Sequence, residues 1–304
     1  MKLIVTIETE EYSFLTLNLT TQGLQLVNHR SREEKLIDNR AKNVNRDVYR
    51  PFGIAQSDVI YIASQGKIIS FSKEKKFPVE EEILSDWFLN THQILYDKGY
   101  LYLTGTSVNC IGRLNLKTKE INYFDTLDLV KTKRPDKLFN FNDRTHTNSL
   151  LINGNSLWFL NHNKRLSPST IVELDKNTFK VLNTYDNVGF DAHNLVFHNN
   201  FLYYLSTAEG YLKSIDLKTK EIQIYNIEKF KDVYLASEKI FFRGLCIKDN
   251  ILYIGATYTS EKDRKKQECY IYTYDIITSN ITKIKMPFLG PILDYRRLLM
   301  NKTY

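Results

Sequence analysis

Leu116-Lys117-Thr118-Lys119-Glu120-Ile121 recurs letter for letter as Leu217-Lys218-Thr219-Lys220-Glu221-Ile222, an offset of 101 residues in a chain of 304. Looser copies, Leu174-Asp175-Lys176-Asn177-Thr178-Phe179 and Tyr274-Asp275-Ile276-Ile277-Thr278-Ser279, fall between and beyond them. The offset therefore covers two units of roughly 50 residues, a period that belongs to repeat architectures. Upstream of the copies stand short apolar runs that carry an aromatic residue: Val59-Ile60-Tyr61-Ile62, Tyr100-Leu101-Tyr102-Leu103, Ser156-Leu157-Trp158-Phe159, Phe201-Leu202-Tyr203-Tyr204 and Ile251-Leu252-Tyr253-Ile254. Runs of this length, rich in β-branched and aromatic residues and bounded by Gly, Asn, Asp and Ser, read as strands. Each unit then comprises an apolar strand, a tight turn, an aromatic strand, a second turn, a third strand, an Asp/Asn-x-x-Thr turn and a fourth strand such as Glu120-Ile121-Asn122-Tyr123-Phe124. Four antiparallel strands per unit predict an all-β fold, a six-bladed β-propeller around a central channel.

The expected blades are centred on residues 1–45, 50–85, 91–125, 145–185, 191–230 and 241–287, all within one domain over 1–304. The first is the weakest match, with Phe14-Leu15-Thr16-Leu17 and Gly23-Leu24-Gln25-Leu26 as its middle strands. Residues 288–304 either close the ring against that blade or cap it. Segments 126–144 and 228–240 are the longest connections and fit a short helix or a surface loop.

Composition narrows the class. Tyr 20, Phe 17 and Trp 2, with 42% hydrophobic residues, supply a sizeable core and exclude a disordered or collagen-like chain. A mean hydropathy of -0.36 and the lack of an apolar run near 20 residues argue against a membrane span. Glu8 and Glu10 follow Met1 too closely for a signal peptide, and Cys110, Cys246 and Cys269 form no CxxC pair. A reducing cytoplasm is the expected location.

Aligning the units on the aromatic strand brings polar residues to one position, the start of the inner strand of each blade. The segments are Arg50-Pro51-Phe52-Gly53, Thr91-His92-Gln93, Thr145-His146-Thr147-Asn148, Asp191-Ala192-His193-Asn194 and Phe242-Arg243-Gly244. Three of the six histidines fall here; His146 lies two residues before the strict alignment, which puts Asn148 in register. Such a cluster at a channel mouth is a candidate site. Three readings stay open: a divalent transition metal held by His92, His146 and His193; a metal-free pocket in which Arg50 and Arg243 supply planar donors to a small polar or anionic ligand; and satisfied, idle channel residues. In the site readings Arg50, Phe52, Gln93, His146, Asn148 and Asn194 contact the ligand. For catalysis of lyase or hydrolase type, His92 and His193 are the expected acid–base groups and Arg243 the group that stabilises developing negative charge. Asp191 either orients His193 or caps the preceding turn, and no carboxylate is placed clearly in the ring. The alternative function is a scaffold that binds a protein partner and has no activity.

In these stretches, together with Arg50-Pro51-Phe52-Gly53-Ile54, His92-Gln93-Ile94, His146-Thr147-Asn148-Ser149, His193-Asn194-Leu195 and Phe242-Arg243-Gly244-Leu245 followed by Tyr253-Ile254-Gly255, the chain resembles a family of uncharacterised bacterial six-bladed propellers. The resemblance spans residues 50–260. It implies the fold and lends no activity, and the acidic calcium ligands of gluconolactonase-like propellers are missing from the inner-strand starts.

Other features have plainer readings. The basic runs at 73–76, 131–134 and 262–266 lie in turns or connections, interrupted by acids or Pro, so no nucleic-acid partner is expected despite a pI near 9.0. Asn161-His162-Asn163 and His198-Asn199-Asn200 read as hairpin turns. The Tyr and Phe residues follow strand period and are expected between blades, and Cys246 is expected as a small apolar filler.

Overall fold

The computed structural model describes residues 2–7, 12–20, 23–31, 53–64, 66–74, 78–85, 88, 90–127, 143–225, 240–258, 267–289 and 292–297. Five four-stranded antiparallel sheets are each built from strands consecutive in the chain. They are β4 (Gly53–Gln56), β5 (Ile60–Ser64), β6 (Lys67–Phe71) and β7 (Val79–Leu84); β8 (Ile94–Asp97), β9 (Tyr100–Gly105), β10 (Cys110–Asn115) and β11 (Ile121–Asp125); β12 (Thr147–Asn153), β13 (Ser156–Asn161), β14 (Thr170–Asp175) and β15 (Val181–Tyr185); β16 (Ala192–His198), β17 (Phe201–Ser206), β18 (Tyr211–Asp216) and β19 (Ile222–Tyr225); and β20 (Ile240–Lys248), β21 (Ile251–Tyr258), β22 (Glu268–Asp275) and β23 (Ile281–Leu289). A further sheet is composite. β1 (Lys2–Ile7), β2 (Tyr12–Thr20) and β3 (Gly23–Ser31) are joined on the β1 side by β24 (Ile292–Arg297).

At the chain ends the structure shows one of the two alternatives read from the sequence, the tail pairing with the first blade. The segment 1–45 contributes three described strands rather than a whole blade, and the tail supplies the fourth. The strands β24, β4, β8, β12, β16 and β20 contact one another in cyclic order, each touching the next. They line the centre, as the first strand of each repeat was expected to. The fold is a β-propeller.

The recurring LKTKEI segment is the turn between third and fourth strands. Asn115 Oδ1 accepts from the N–H groups of Lys117 and Thr118 at 2.9 and 3.2 Å. Asp175, Asp216 and Asp275 accept in the same way from the residues two and three positions on. Lys119, Phe179, Lys220 and Ser279 follow at φ values of 63, 59, 65 and 57°. The repeat was therefore legible because one turn geometry demands an Asx acceptor and a Thr at fixed spacing.

Blade packing follows the strand period of two. The second-strand aromatics Tyr102, Trp158 and Tyr203 all turn toward the following sheet: Tyr102 to Leu150 and Leu157, Trp158 to Leu195 and Tyr204, Tyr203 to Leu245 and Tyr272. Their neighbours on the strand point the other way, so that Leu101 and Leu103 meet Tyr61 and Ala63 of the preceding sheet. The outermost strands β15 and β19 are largely exposed, as the edges of blades should be. Among the described residues, no helix is long and apolar enough to cross a membrane.

Candidate functional site at the channel mouth

At one end of the inner ring, three inner strands carry the same irregularity. Register shifts occur between Thr147 and Ser149, between His193 and Leu195, and between Phe242 and Leu245. Bulges of this kind bend a strand and re-aim its side chains. Beyond them Leu150, Leu195 and Leu245 pair with Phe159, Tyr204 and Ile254, as Ile94 pairs with Leu103. His92, Asn148, His193 and Arg243 thus hold one structural position, two residues before those apolar anchors.

The next position along is structural. Gln93 Oε1 accepts from Leu150 N, Ser149 Oγ accepts from Asn194 N at 2.7 Å, and Asn194 Oδ1 accepts from Gly244 N at 2.8 Å. Asn148 Nδ2 donates to Ala192 O at 3.0 Å. The amides of Gln93, Asn148 and Asn194, expected to contact a ligand, instead stitch each blade to the next. Asn194 also sits at φ 57°, which Asn tolerates better than most residues. Asn194→Ala leaves the buried Gly244 N–H unpaired and is expected to cost about 1–3 kcal/mol, read as a lowered urea midpoint.

Four imidazoles form a file across this end. Ring centroids of His92 and His146 are 4.7 Å apart, those of His146 and His162 4.8 Å, and those of His162 and His193 5.2 Å, after which Phe241 follows at 5.7 Å. Arg243 Nη2 donates to His92 Nδ1 at 3.0 Å. Two carboxylates flank the file. Asp143 Oδ2 lies 2.7 Å from His146 Nδ1 and 2.8 Å from Lys164 Nζ. Asp191 pairs with Arg165, and its Oδ1 lies 3.1 Å from His162 Nε2. That last contact is electrostatic rather than an aligned hydrogen bond, because Oδ1 is buried without a hydrogen-bond partner.

The partners fix where the protons sit. A guanidinium can only donate, so His92 Nδ1 holds a lone pair and its proton is on Nε2. His162 Nδ1 accepts from Lys164 N at 3.1 Å, which places its proton on Nε2 as well. His193 is the reverse: Nδ1 donates to the carbonyl of Asp191 at 2.7 Å and approaches Thr207 Oγ1 at 3.0 Å. His146 Nδ1 donates to the Asp143 carboxylate. Two rings thus present N–H groups at Nε2 and two present lone pairs.

Charge is suppressed on three of the four rings. Burial, reinforced by His146 and Arg243, pushes His92 well below the ordinary histidine value. Burial and then Arg243 do the same to His193. His162 is lowered to about 3 by burial and His146, which together outweigh the opposing pull of Asp191. For Asp143, burial alone would raise the pKa, but the hydrogen bonds of His146 and Lys164 and the charge of Lys164 outweigh it and the carboxyl is lowered.

Backbone strain gathers here too. His146, Asp191 and Asn194 are left-handed, and Asn163, Lys164 and Arg165 are so in succession, at φ 58, 47 and 61°. Left-handed non-glycine residues cost on the order of 1 kcal/mol each and concentrate at functional sites.

The metal reading does not fit this geometry. Among the described residues no three His, Cys, Asp or Glu side chains are arranged to hold a metal ion. His92 directs an N–H rather than a lone pair from Nε2, and the ring of His162 stands between those of His146 and His193. Arg50 and Phe52 lie outside the described residues. Three residues read otherwise from sequence join the site. The sequence reads His162 as part of a hairpin turn, yet it follows Asn161, which pairs with Thr147 at the start of the inner strand; that antiparallel register is the signal that places it. Asp143, at the end of a long connection, had no repeat partner to mark it. Asp191, left between two roles, pairs its carboxylate with Arg165 and sets it beside His162, while its carbonyl holds His193.

No family model and no curated protein matches the chain. Solved structures resemble it in fold. A chain of a nidogen/laminin complex aligns with a TM-score of 0.63 at 12% identity, covering 97% of each chain. A protein from Bacteroides fragilis, provisionally named a 6-phosphogluconolactonase, aligns with a TM-score of 0.59 at 10% identity, again over 97% of each chain. The WD40 repeats of RRP9 align with a TM-score of 0.56 at 9% identity over 83% of this chain and 84% of that one. At such identities the likeness extends to the fold alone.

Proposed function

We propose that the protein is a cytoplasmic six-bladed propeller, with the composite sheet as its sixth blade, that binds a small organic anion at the histidine file. One observation carries the reading: a buried guanidinium, Arg243, lies against His92 at the head of the file, beside two imidazoles that burial keeps neutral, His92 and His193, so the buried positive charge of Arg243 is left for a ligand's negative charge to meet. Arg243 holds the anionic group, while His162 and His193 shape the far end. The bulge at Arg243 and the left-handed residues around the file support a position built for binding rather than for packing. Cys110, Cys246 and Cys269 are buried thiols outside any disulfide among the described residues, which suits the reducing compartment proposed.

Calorimetric titration with succinate and with inorganic phosphate tests the reading. At least one is expected to bind, and Arg243→Gln is expected to weaken that binding by roughly 10- to 150-fold, the loss of one charge-assisted hydrogen bond. Equal affinity in wild type and variant, or no binding of either anion, overturns it in favour of an interaction scaffold, the use to which the WD40 and nidogen/laminin neighbours would point.

A further inference from the structure

The sequence places acid–base work on His92 and His193, but the hydrogen bonds favour a different imidazole. His92 Nδ1 already holds a guanidinium proton. His193 carries its lone pair on Nε2, but its side chain is almost wholly buried. His146 is the exception on both counts. Its Nδ1–H is anchored to a carboxylate, Asp143 Oδ2, at 2.7 Å, Nε2 makes no hydrogen bond among the described residues, and the side chain retains 18% exposure. Asp143 is itself fixed on the same oxygen by Lys164 at 2.8 Å. An imidazole with one nitrogen held by a carboxylate and the other open is the arrangement of a general base. The His92 ring, whose Nδ1 is held by Arg243, stands only 4.7 Å away, so its Nε2–H is a donor for a developing oxyanion beside that base.

We infer that the Asp143–His146 pair activates water and gives the site hydrolytic activity toward carboxylic esters that bear an anionic group. The inference rests on the anion-binding reading above. His146 Nε2 takes one proton from water as the water oxygen bonds to the ester carbonyl carbon. The carbonyl π pair moves onto its oxygen, where His92 Nε2–H holds the charge. That pair then returns, the carbon–oxygen bond to the leaving alcohol breaks, and His146 gives its proton to the departing alkoxide. Asp143 is a positioning residue: it keeps the proton on Nδ1 and the lone pair on Nε2.

The test uses mono-4-nitrophenyl succinate, with neutral 4-nitrophenyl acetate for comparison and succinate as inhibitor. The wild type is expected to cleave the succinate ester above the buffer rate, His146→Gln to lose about 10²- to 10⁴-fold, and His198→Gln, outside the file, to match wild type. Nitrogen NMR of histidine-labelled protein is expected to show His146 protonated at Nδ1, and Asp143→Asn to redistribute that proton between the two nitrogens. This readout does not depend on the ester chosen. A His146→Gln rate equal to wild type, no cleavage by wild type, or a resting proton on His146 Nε2 overturns the inference. If cleavage depends on His146 but succinate does not inhibit and Arg243→Gln is unchanged, the base stands and the anion reading falls; if succinate binds through Arg243 without cleavage, the reverse holds.

Discussion

Moving from pH 7.5 to pH 5.5 is expected to lower the unfolding free energy by up to about 4 kcal/mol, because three buried imidazoles must stay neutral in the folded chain. The folded pKa values of His92, His162 and His193 are depressed below the ordinary value. Unfolded, these rings take up protons as the pH falls through about 6.5, whereas the folded chain does not. The stabilisation is therefore complete above pH 6.5 and is lost progressively below it, with His162 continuing to contribute down to about 3. Each imidazole contributes about 1.4 kcal/mol per pH unit in that window, which sets the figure for three over the unit from 6.5 to 5.5. Against a typical stability of about 5–15 kcal/mol the loss is large. Carboxylates titrate lower, so the window belongs to the histidines. Urea midpoints at the two pH values read it directly, and His162→Gln is expected to shrink the difference by about a third. An unchanged midpoint would mean that the rings are hydrated well enough to accept protons in place.

The second large effect is expected at Trp158. It is 3% exposed and inserts between two sheets, against Leu195, Leu202, Tyr204 and Ile215 of the next blade, with Tyr185 of its own blade at 5.9 Å. Trp158→Ala is expected to cost about 3–5 kcal/mol, since the lost transfer energy is compounded by a cavity that two rigid sheets cannot close. Guanidinium unfolding checks it. A cost below about 1 kcal/mol would show that the blades can slide together over the gap.

Much of the fold was legible because it is local. The Asx-x-x-Thr turn and the aromatic second strand are each dictated by chemistry within a few residues, at Asn115, Asp175, Asp216 and Asp275 and at Tyr102, Trp158 and Tyr203. Pairing of β24 with β1 was not, since nothing in Ile292–Arg297 distinguishes a closing strand from a cap until both termini are in one place. At the site, alignment found the position shared by His92, His193 and Arg243 and brought Asn148 with it, but it could not say which side chains face the mouth. Asn148 spends its amide on the neighbouring blade. His146, two residues out of register, reaches the file because a left-handed backbone turns its ring inward.

The sequence by itself determined a repeat of four antiparallel strands, the turn that punctuates it, and one ring position rich in polar side chains, all from periodicity and short-range hydrogen bonding. Only the tertiary structure decided how the ring closes at the termini, that His162 and Asp143 belong with His146, and which nitrogen of each imidazole carries its proton. Those facts depend on partners from two residues away, as Lys164 is for His162, to the opposite end of the chain, as β24 is for β1, with Arg243 for His92 between them. A proton's place on a ring is set by whatever group stands opposite it in space.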